Sequence, residues 1–369
     1  MSLLNPLLLN ARRHAAGVDV SARGITLVVL SEPLFGGGPL RIEWLARAPL
    51  GREVLSGAEI ADRTALAAAL RALFGALPRA CAQAGLRCAM ALPTGATLLA
   101  TVPLARLVPE AGSPAWRADV SGLYTELEPL VLAEAERVAG IERHELAVDW
   151  QVGPFGSIYS LGSCDSPDSP DSPGSSGASG ASGASGASAL GTAVLREARV
   201  TIAATARAHL ETRIECAAMA GITLCALDDE AHAALRAMRH AAAFELPPHE
   251  TWAALWIGAD GIHGWLVADE SVTRRMRFPA LEYADLVEAL RDLARGAQVG
   301  CTLVSGDLSM LAGVQFSLAD IGDVLGSPVL PFECAPLADA DTEQPLDVGL
   351  LHDPSCVVAF GLALRGVSE

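Results

Sequence analysis

The residues best suited to chemistry in this chain are acidic or small, and they gather at three tight turns. The first is Asp19-Val-Ser21-Ala-Arg-Gly24, between two apolar stretches that read as strands. The second is Gly258-Ala-Asp260-Gly261-Ile-His263, again between two strand-like stretches. The third is Ser305-Gly306-Asp307, where an apolar strand gives way to a helix with Asp307 as its expected cap. An aspartate at such a corner can hold a divalent cation and orient a water. Free backbone N–H groups at a glycine-rich turn can cradle phosphate oxygens. Asp19, Ser21, Gly24, Gly258, Asp260, Ser305 and Gly306 are the residues through which such turns could grip phosphate.

Residue types exclude other chemistries. All 26 basic residues are arginine, so no Walker-type phosphate lysine exists. No Gly-x-Ser-x-Gly elbow is present. The eight cysteines form no Cys-x-x-Cys pair, and the eight histidines form no His-x-x-x-His. Buried reduced thiols are expected, rather than zinc or disulfides. A net charge of -17, spread along the chain, argues against nucleic acid and against an anionic membrane surface. No apolar run is long enough for a bilayer span. The opening apolar decapeptide precedes its basic residues, the wrong order for a signal peptide.

The elements that position the turns recur. Gly17 to Leu30 reads as strand, turn, strand. A third strand (Leu40 to Ala46), a helix capped by Asp62 and a buried strand (Cys88 to Leu92) follow. From Trp252 the same order returns, with its third strand at Val272 to Phe278. Phe35-Gly-Gly-Gly38 lies between two strands with no helix after it, so it reads as a hairpin connection. The expected organisation is a flexible segment 1–16, a first lobe at 17–95 and an inserted α+β subdomain at 96–222. The chain then returns to the first lobe at 223–246 and forms a second lobe at 247–350. A C-terminal helix at 351–369 packs on the first lobe through Gly361. Within the insertion, 163–189 is Ser/Gly/Pro-rich with no apolar payload to offset ordering entropy, and it is expected to be disordered.

The ordered motifs Gly17-Val-Asp19-Val-Ser21, Trp256-Ile-Gly258-Ala-Asp260, Val304-Ser-Gly306-Asp and Ala359-Phe-Gly361-Leu-Ala-Leu-Arg365-Gly366 resemble the actin-like ATPase superfamily. Within it the chain is similar to the PilM-like proteins of type IV pilus assembly, relatives of FtsA. Gly57-Ala-Glu-Ile60-Ala-Asp62, Ala91-Leu-Pro93 and Asp149-Trp-Gln151 add to the likeness. The resemblance runs from Gly17 to Gly366 outside the low-complexity insertion. It implies an α/β actin-like (ribonuclease H-like) two-lobed fold with an FtsA-type inserted subdomain, and ATP with magnesium as the family's cofactor, bound by the turn residues above with Asp19 on the magnesium side. It also implies a cytoplasmic protein held at the inner membrane by the N-terminal cytoplasmic peptide of a PilN-like partner. In that family the peptide groove lies between the first lobe's sheet and the subdomain. Pilus motor components are further expected partners.

The chain departs from the family at the phosphate turns. Thr26 stands where a lysine is usual, and Trp256 stands where the second hairpin's leading aspartate is expected. Asp307 replaces a glycine on the adenosine side. Tryptophan offers no ligand to magnesium, so these changes predict a degenerate nucleotide site and a scaffold or adaptor role. The alternatives are a slow ATPase or sugar-kinase-like phosphotransferase of the same superfold, and a cytoplasmic actin-like component of a type II secretion system.

Overall fold

The structure is a computed structural model that describes residues 11–34, 39–83, 85–108, 120–153, 198–279, 283–338 and 346–368. The expectations for the apolar decapeptide, for Phe35 to Gly38 and for the loop 163–189 lie outside the described residues.

Two hairpins with the same build anchor two five-stranded sheets. In the first, β1 (Arg12–Ser21) and β2 (Gly24–Pro33) are buried on both faces along most of their length. Their apolar runs are nearly continuous, as central strands require. β2 pairs with β3 (Arg41–Ala48) antiparallel, and β1 pairs with β4 (Arg87–Leu92) parallel. β8 (Leu224–Asp229) adds a parallel edge, so the sheet order is β8-β4-β1-β2-β3. Helix α1 (Arg63–Gly75) starts at Asp62, whose carboxylate accepts the Ala65 N–H, and it buries Leu66, Leu70 and Leu73. Those side chains join Val18, Ile25, Leu27, Val29 and Met90 in one core.

The second sheet repeats this topology. β9 (Trp252–Gly258), β10 (Gly261–Ala268) and β11 (Ser271–Phe278) form an antiparallel meander. β12 (Cys301–Gly306) and the short β13 (Val329–Pro331) extend it in parallel, in the order β11-β10-β9-β12-β13. Helix α5 (Tyr283–Ala294) and helix α6 (Leu318–Leu325) cover one face through Leu286, Leu290, Leu293, Ile321 and Leu325. α6 carries a reciprocal Ser317–Asp320 capping box and ends at Gly326 with φ 67°.

Helix α4 (Glu230–Glu245) and helix α7 (Val357–Ser368) complete this unit. α7 is buried almost throughout. It packs on β1, β2, β4 and α4. Three glycines permit that approach. A Cβ at Gly17 would land on the Ala359 carbonyl oxygen, one at Gly361 on the Ala233 carbonyl oxygen, and one at Gly366 against the Ala15 methyl.

Contacts divide the chain into two compact units, Met1–Thr97 with Ala208–Ser368, and Leu98–Arg207. The second is a three-stranded sheet, β5 (Thr97–Pro103), β7 (Arg199–Ala206) and β6 (Leu146–Gly153), in the order β5-β7-β6. Helix α2 (Val120–Ala139) buries Leu127, Val131 and Ala135, spaced four residues apart, against Val200, Ile202 and Ala204.

Two expectations change. Helix α3 (Arg207–Ala220), counted with the insertion at 96–222, buries Cys216 and Ala217 in the core of the first sheet. It belongs there because Arg213, 2% exposed, donates to the carbonyls of Ala91 and Ala58 in that unit. The strand and helix expected at Ile222 to Leu227 and Asp228 to Ala243 each begin two residues later. Asp229 is the cap of α4, accepting the His232 N–H.

Candidate functional site

The turn glycines serve the fold first. Gly24 has φ 125° and Gly261 has φ 123°. A Cβ at either would strike the end of the third strand, at the Ala48 and Phe278 carbonyl oxygens respectively. Both hairpins therefore need glycine to tuck beneath their third strand, whatever they bind. Ser21 closes its turn locally, with its hydroxyl 3.4 Å from the Arg23 N–H.

Asp19 lies in β1 just before the turn and is only 6% exposed. Register places it opposite Thr26 on β2, and Thr26 opposite Arg47 on β3. The Arg47 guanidinium crosses this row. It donates to Thr26 Oγ1 at 3.0 Å, to Asp353 Oδ2 at 2.6 Å and to Ser355 Oγ at 2.7 Å. Arg47 thus brings a cation from the third strand to the Asp19–Thr26 row, where the second strand offers only threonine. Burial pushes the Asp19 carboxyl up to about 7, with the Arg47 charge and the Val20 N–H opposing the rise.

The start of α4 adds carboxylates to the same place. Glu230 accepts the Thr94 N–H at 3.3 Å, and Thr94 Oγ1 accepts the Ala231 N–H at 3.1 Å. Burial, then the charges of Asp19 and Asp229, hold the Glu230 carboxyl well above the usual range, and Asp260 adds to the effect. Asp19, Glu230 and Asp260 therefore share one electrostatic neighbourhood. One Asp229 oxygen caps the helix, while its buried Oδ1 finds no partner.

The second turn is filled by its own side chains. Trp256 is 4% exposed, and a Cβ at Gly258 would fall on the outer carbons of its indole. The His263 ring lies 5.2 Å from the indole, centroid to centroid. Asp260 sits between His263 Nε2, 3.2 Å away, and Arg277 Nη2, 2.9 Å away. Burial opposes its ionisation, but these two partners hold the carboxyl below its usual value. A Cβ at Gly95 would stand 3.7 Å from Asp260 Cβ, so the turn after β4 closes directly on the second hairpin.

The third turn divides its expected residues. Ser305 is fully buried, with its hydroxyl on the Leu255 carbonyl and the Met238 sulfur, so it serves the core. Gly306, at φ 92°, presses on the Ile257 carbonyl. Asp307 accepts the Ser309 N–H and hydroxyl at 3.2 and 2.6 Å. It also receives Arg23, which reaches from the first hairpin turn at 3.0 Å. The other Arg23 terminal nitrogen lies 3.3 Å from Asp353. Asp353 caps the turn leading into α7 through Ser355. Burial works against its charge, yet hydrogen bonds from Ser355 and Arg47 keep its carboxyl below the usual range.

The fold therefore brings the hairpin that holds Asp19, Ser21 and Gly24 near the turns that hold Gly258 with Asp260 and Gly306 with Asp307, and turns Ser305 into the core. It adds Arg23, Arg47, Thr94, Glu230, Asp307 and Asp353, which the turn motifs alone do not single out. Glu230 had a signal in the run Asp228-Asp229-Glu230 at a strand end. Arg47 had one only in the three-strand register. Among the described residues, no group of three or more histidines, cysteines and carboxylates has the geometry to hold a metal ion.

Neither a family model nor a curated protein matches the sequence. Among solved structures, a chain of the PilM-PilN type IV pilus biogenesis complex matches with a TM-score of 0.60. It is 19% identical, over 96% of this chain and 98% of that one. A Bacteroides thetaiotaomicron protein with an actin-like ATPase fold and unknown function matches at 0.43, with 10% identity over 89% and 93%. The cytoplasmic domain of EpsL, an inner membrane component of the Vibrio cholerae type II secretion system, matches at 0.41, with 10% identity over 96% and 95%. The chain thus has the actin-like α/β fold with an inserted α+β unit, and its fold is similar, over nearly its whole length, to that of the PilM-PilN complex chain.

Proposed function

We propose that the chain is a cytoplasmic, actin-like adaptor of a type IV pilus assembly machine. It binds the N-terminal cytoplasmic peptide of an inner-membrane PilN-like protein, and its nucleotide site is degenerate. The observation that carries the reading is end-to-end likeness in fold, inserted unit included, to a chain of the PilM-PilN complex. Peptide capture needs only backbone hydrogen bonds and a few apolar pockets, and no reactive group. No helix among the described residues is long and apolar enough to cross a membrane, so recruitment through a partner suits this chain. Pilus motor components are the further partners of this reading.

The cleft chemistry supports an adaptor over an enzyme. Magnesium takes ionised oxygen ligands in octahedral geometry. Here burial pushes Asp19 up to about 7 and holds Glu230 well above its usual range. A triphosphate would meet these carboxyl groups and Asp260, while the guanidiniums of Arg23, Arg47 and Arg277 are already bound to Asp307, Asp353 and Asp260. The Trp256 indole covers Gly258, one of the backbone positions a phosphate cradle would use. The residues present do not fit magnesium-ATP.

Fluorescence anisotropy with a labelled PilN-like N-terminal peptide tests the proposal, beside an ATP consumption assay on the same sample. Saturable micromolar binding without ATP turnover is expected. ATP turnover abolished by Asp19→Ala, with no peptide binding, would replace the adaptor with the slow-ATPase reading.

A further inference from the structure

We infer that Arg47, Asp353, Arg23 and Asp307 form a built-in clamp that ties the two five-stranded sheets together in place of a nucleotide. The inference goes beyond the adaptor role and does not depend on which partner binds.

The four side chains form a continuous ionic chain. Arg47 on β3 meets Asp353 at 2.6 Å, Asp353 meets Arg23 at 3.3 Å, and Arg23 meets Asp307 at 3.0 Å. Two positive and two negative charges alternate, so the string is neutral. Its two arginines belong to the β1-β2-β3 meander of the first sheet, Asp353 precedes α7, and Asp307 follows β12 of the second sheet. Both carboxylates are fixed before the arginines reach them. Asp353 accepts the Ser355 N–H and hydroxyl, and Asp307 accepts the Ser309 N–H and hydroxyl. Arg47 is fixed likewise by Thr26 and Ser355. Such pre-organisation lowers the entropy cost of an ion pair, and a network of partly buried charges outweighs isolated surface pairs.

Position gives the clamp its meaning. Arg23 projects from the turn between Ser21 and Gly24, where a phosphate group would be cradled, and reaches a carboxylate on the other sheet. In a nucleotide-gripping cleft, phosphate oxygens bridge opposed turns. Here a guanidinium and a carboxylate of the chain itself make the bridge. Gly95, after β4, lies against Asp260 of the second hairpin, a second point at which the two sheets meet. This accounts for a cleft that keeps its tight corners while losing its phosphate chemistry.

Hydrogen–deuterium exchange of the full chain tests the clamp. Wild type, Arg23→Gln, Asp307→Asn and the Arg23→Gln/Asp307→Asn double variant are compared, each with and without millimolar magnesium-ATP. In either single variant, exchange in peptides spanning 20–25 and 304–310 rises on the order of tenfold by local opening. In the double variant the rise is smaller than the two single effects combined, because both single variants break the same pair, and magnesium-ATP leaves wild type unchanged. Asp353→Asn is a milder variant that keeps the caps and raises exchange in the same turns. Unaltered exchange in the single variants, fully independent effects in the double, or added protection of wild type by magnesium-ATP would each overturn the clamp. Peptide anisotropy on the same proteins reads the adaptor role separately, so failure of one proposal is distinguishable from failure of the other.

Discussion

Replacing Asp19 with asparagine should stabilise the protein, by an amount that grows with pH. Asp19 is 6% exposed in a central strand, and its carboxyl is pushed from 3.8 up to about 7 by burial. Between those values the native state keeps a proton that the unfolded chain releases. Wild-type stability therefore falls as pH rises through this window, and the full cost is present above about 7. At about 1.4 kcal/mol per pH unit, a gap of some three units costs at most about 4 kcal/mol. Glu230 lies within reach of the same charge. Losing that like charge eases the Glu230 carboxyl as well, so the gain is not diminished and is about 4 kcal/mol at pH 8. Asparagine matches the protonated acid in shape and cannot ionise. Arg47 keeps Thr26, Asp353 and Ser355 as partners in the variant. Urea unfolding of both proteins, followed by tryptophan fluorescence from pH 4.5 to pH 8, measures the difference directly. The two curves should nearly coincide at the acid end and separate progressively towards pH 8, with Asp19→Asn the more stable. Magnesium should leave the separation unchanged. A separation independent of pH, or a less stable variant at pH 8, would refute the reasoning.

Two further substitutions probe the framework that shapes the cleft. Gly361→Ala places a methyl on the Ala233 carbonyl oxygen and forces α4 and α7 apart. A loss of about 3 kcal/mol is expected, at the upper end of ordinary overpacking, readable as a lower urea midpoint. Arg213→Met leaves the Ala91 and Ala58 carbonyls without their donor at a site 2% exposed. It should cost about 2–4 kcal/mol by the same assay, although the methionine fills most of the volume.

Much of the fold was legible because strand order and turn chemistry recur along the chain. Gly24 and Gly261 mark the same corner in two meanders, and each is required by the same contact with a third strand. The C-terminal helix was legible through Gly361, whose lack of a side chain lets two helices touch. The assignment of α3 was not. That helix is apolar on more than one side, with Cys216 and Ala217 inward and Ile214 and Met219 exposed, so periodicity names no single buried face. The site was legible only in part. Asp19 and Asp260 announce themselves at turns, but Arg47 depends on β3 running two residues past the expected end at Ala46. Arg23 takes its role from Asp307 and Asp353, which lie 284 and 330 residues away in sequence. No local pattern encodes a pairing of that range. Ser305 shows the converse, since a turn motif singled out a hydroxyl that the core uses.

If the protein is an adaptor whose opposed turns are held by its own side chains, partner binding should be indifferent to nucleotide. Calorimetric titration of the full chain with a PilN-like N-terminal peptide, with and without magnesium-ATP, tests this most directly. Saturable binding at micromolar concentration with the same affinity in both conditions is predicted. Binding that appears only with magnesium-ATP, or no binding in either condition, would contradict it.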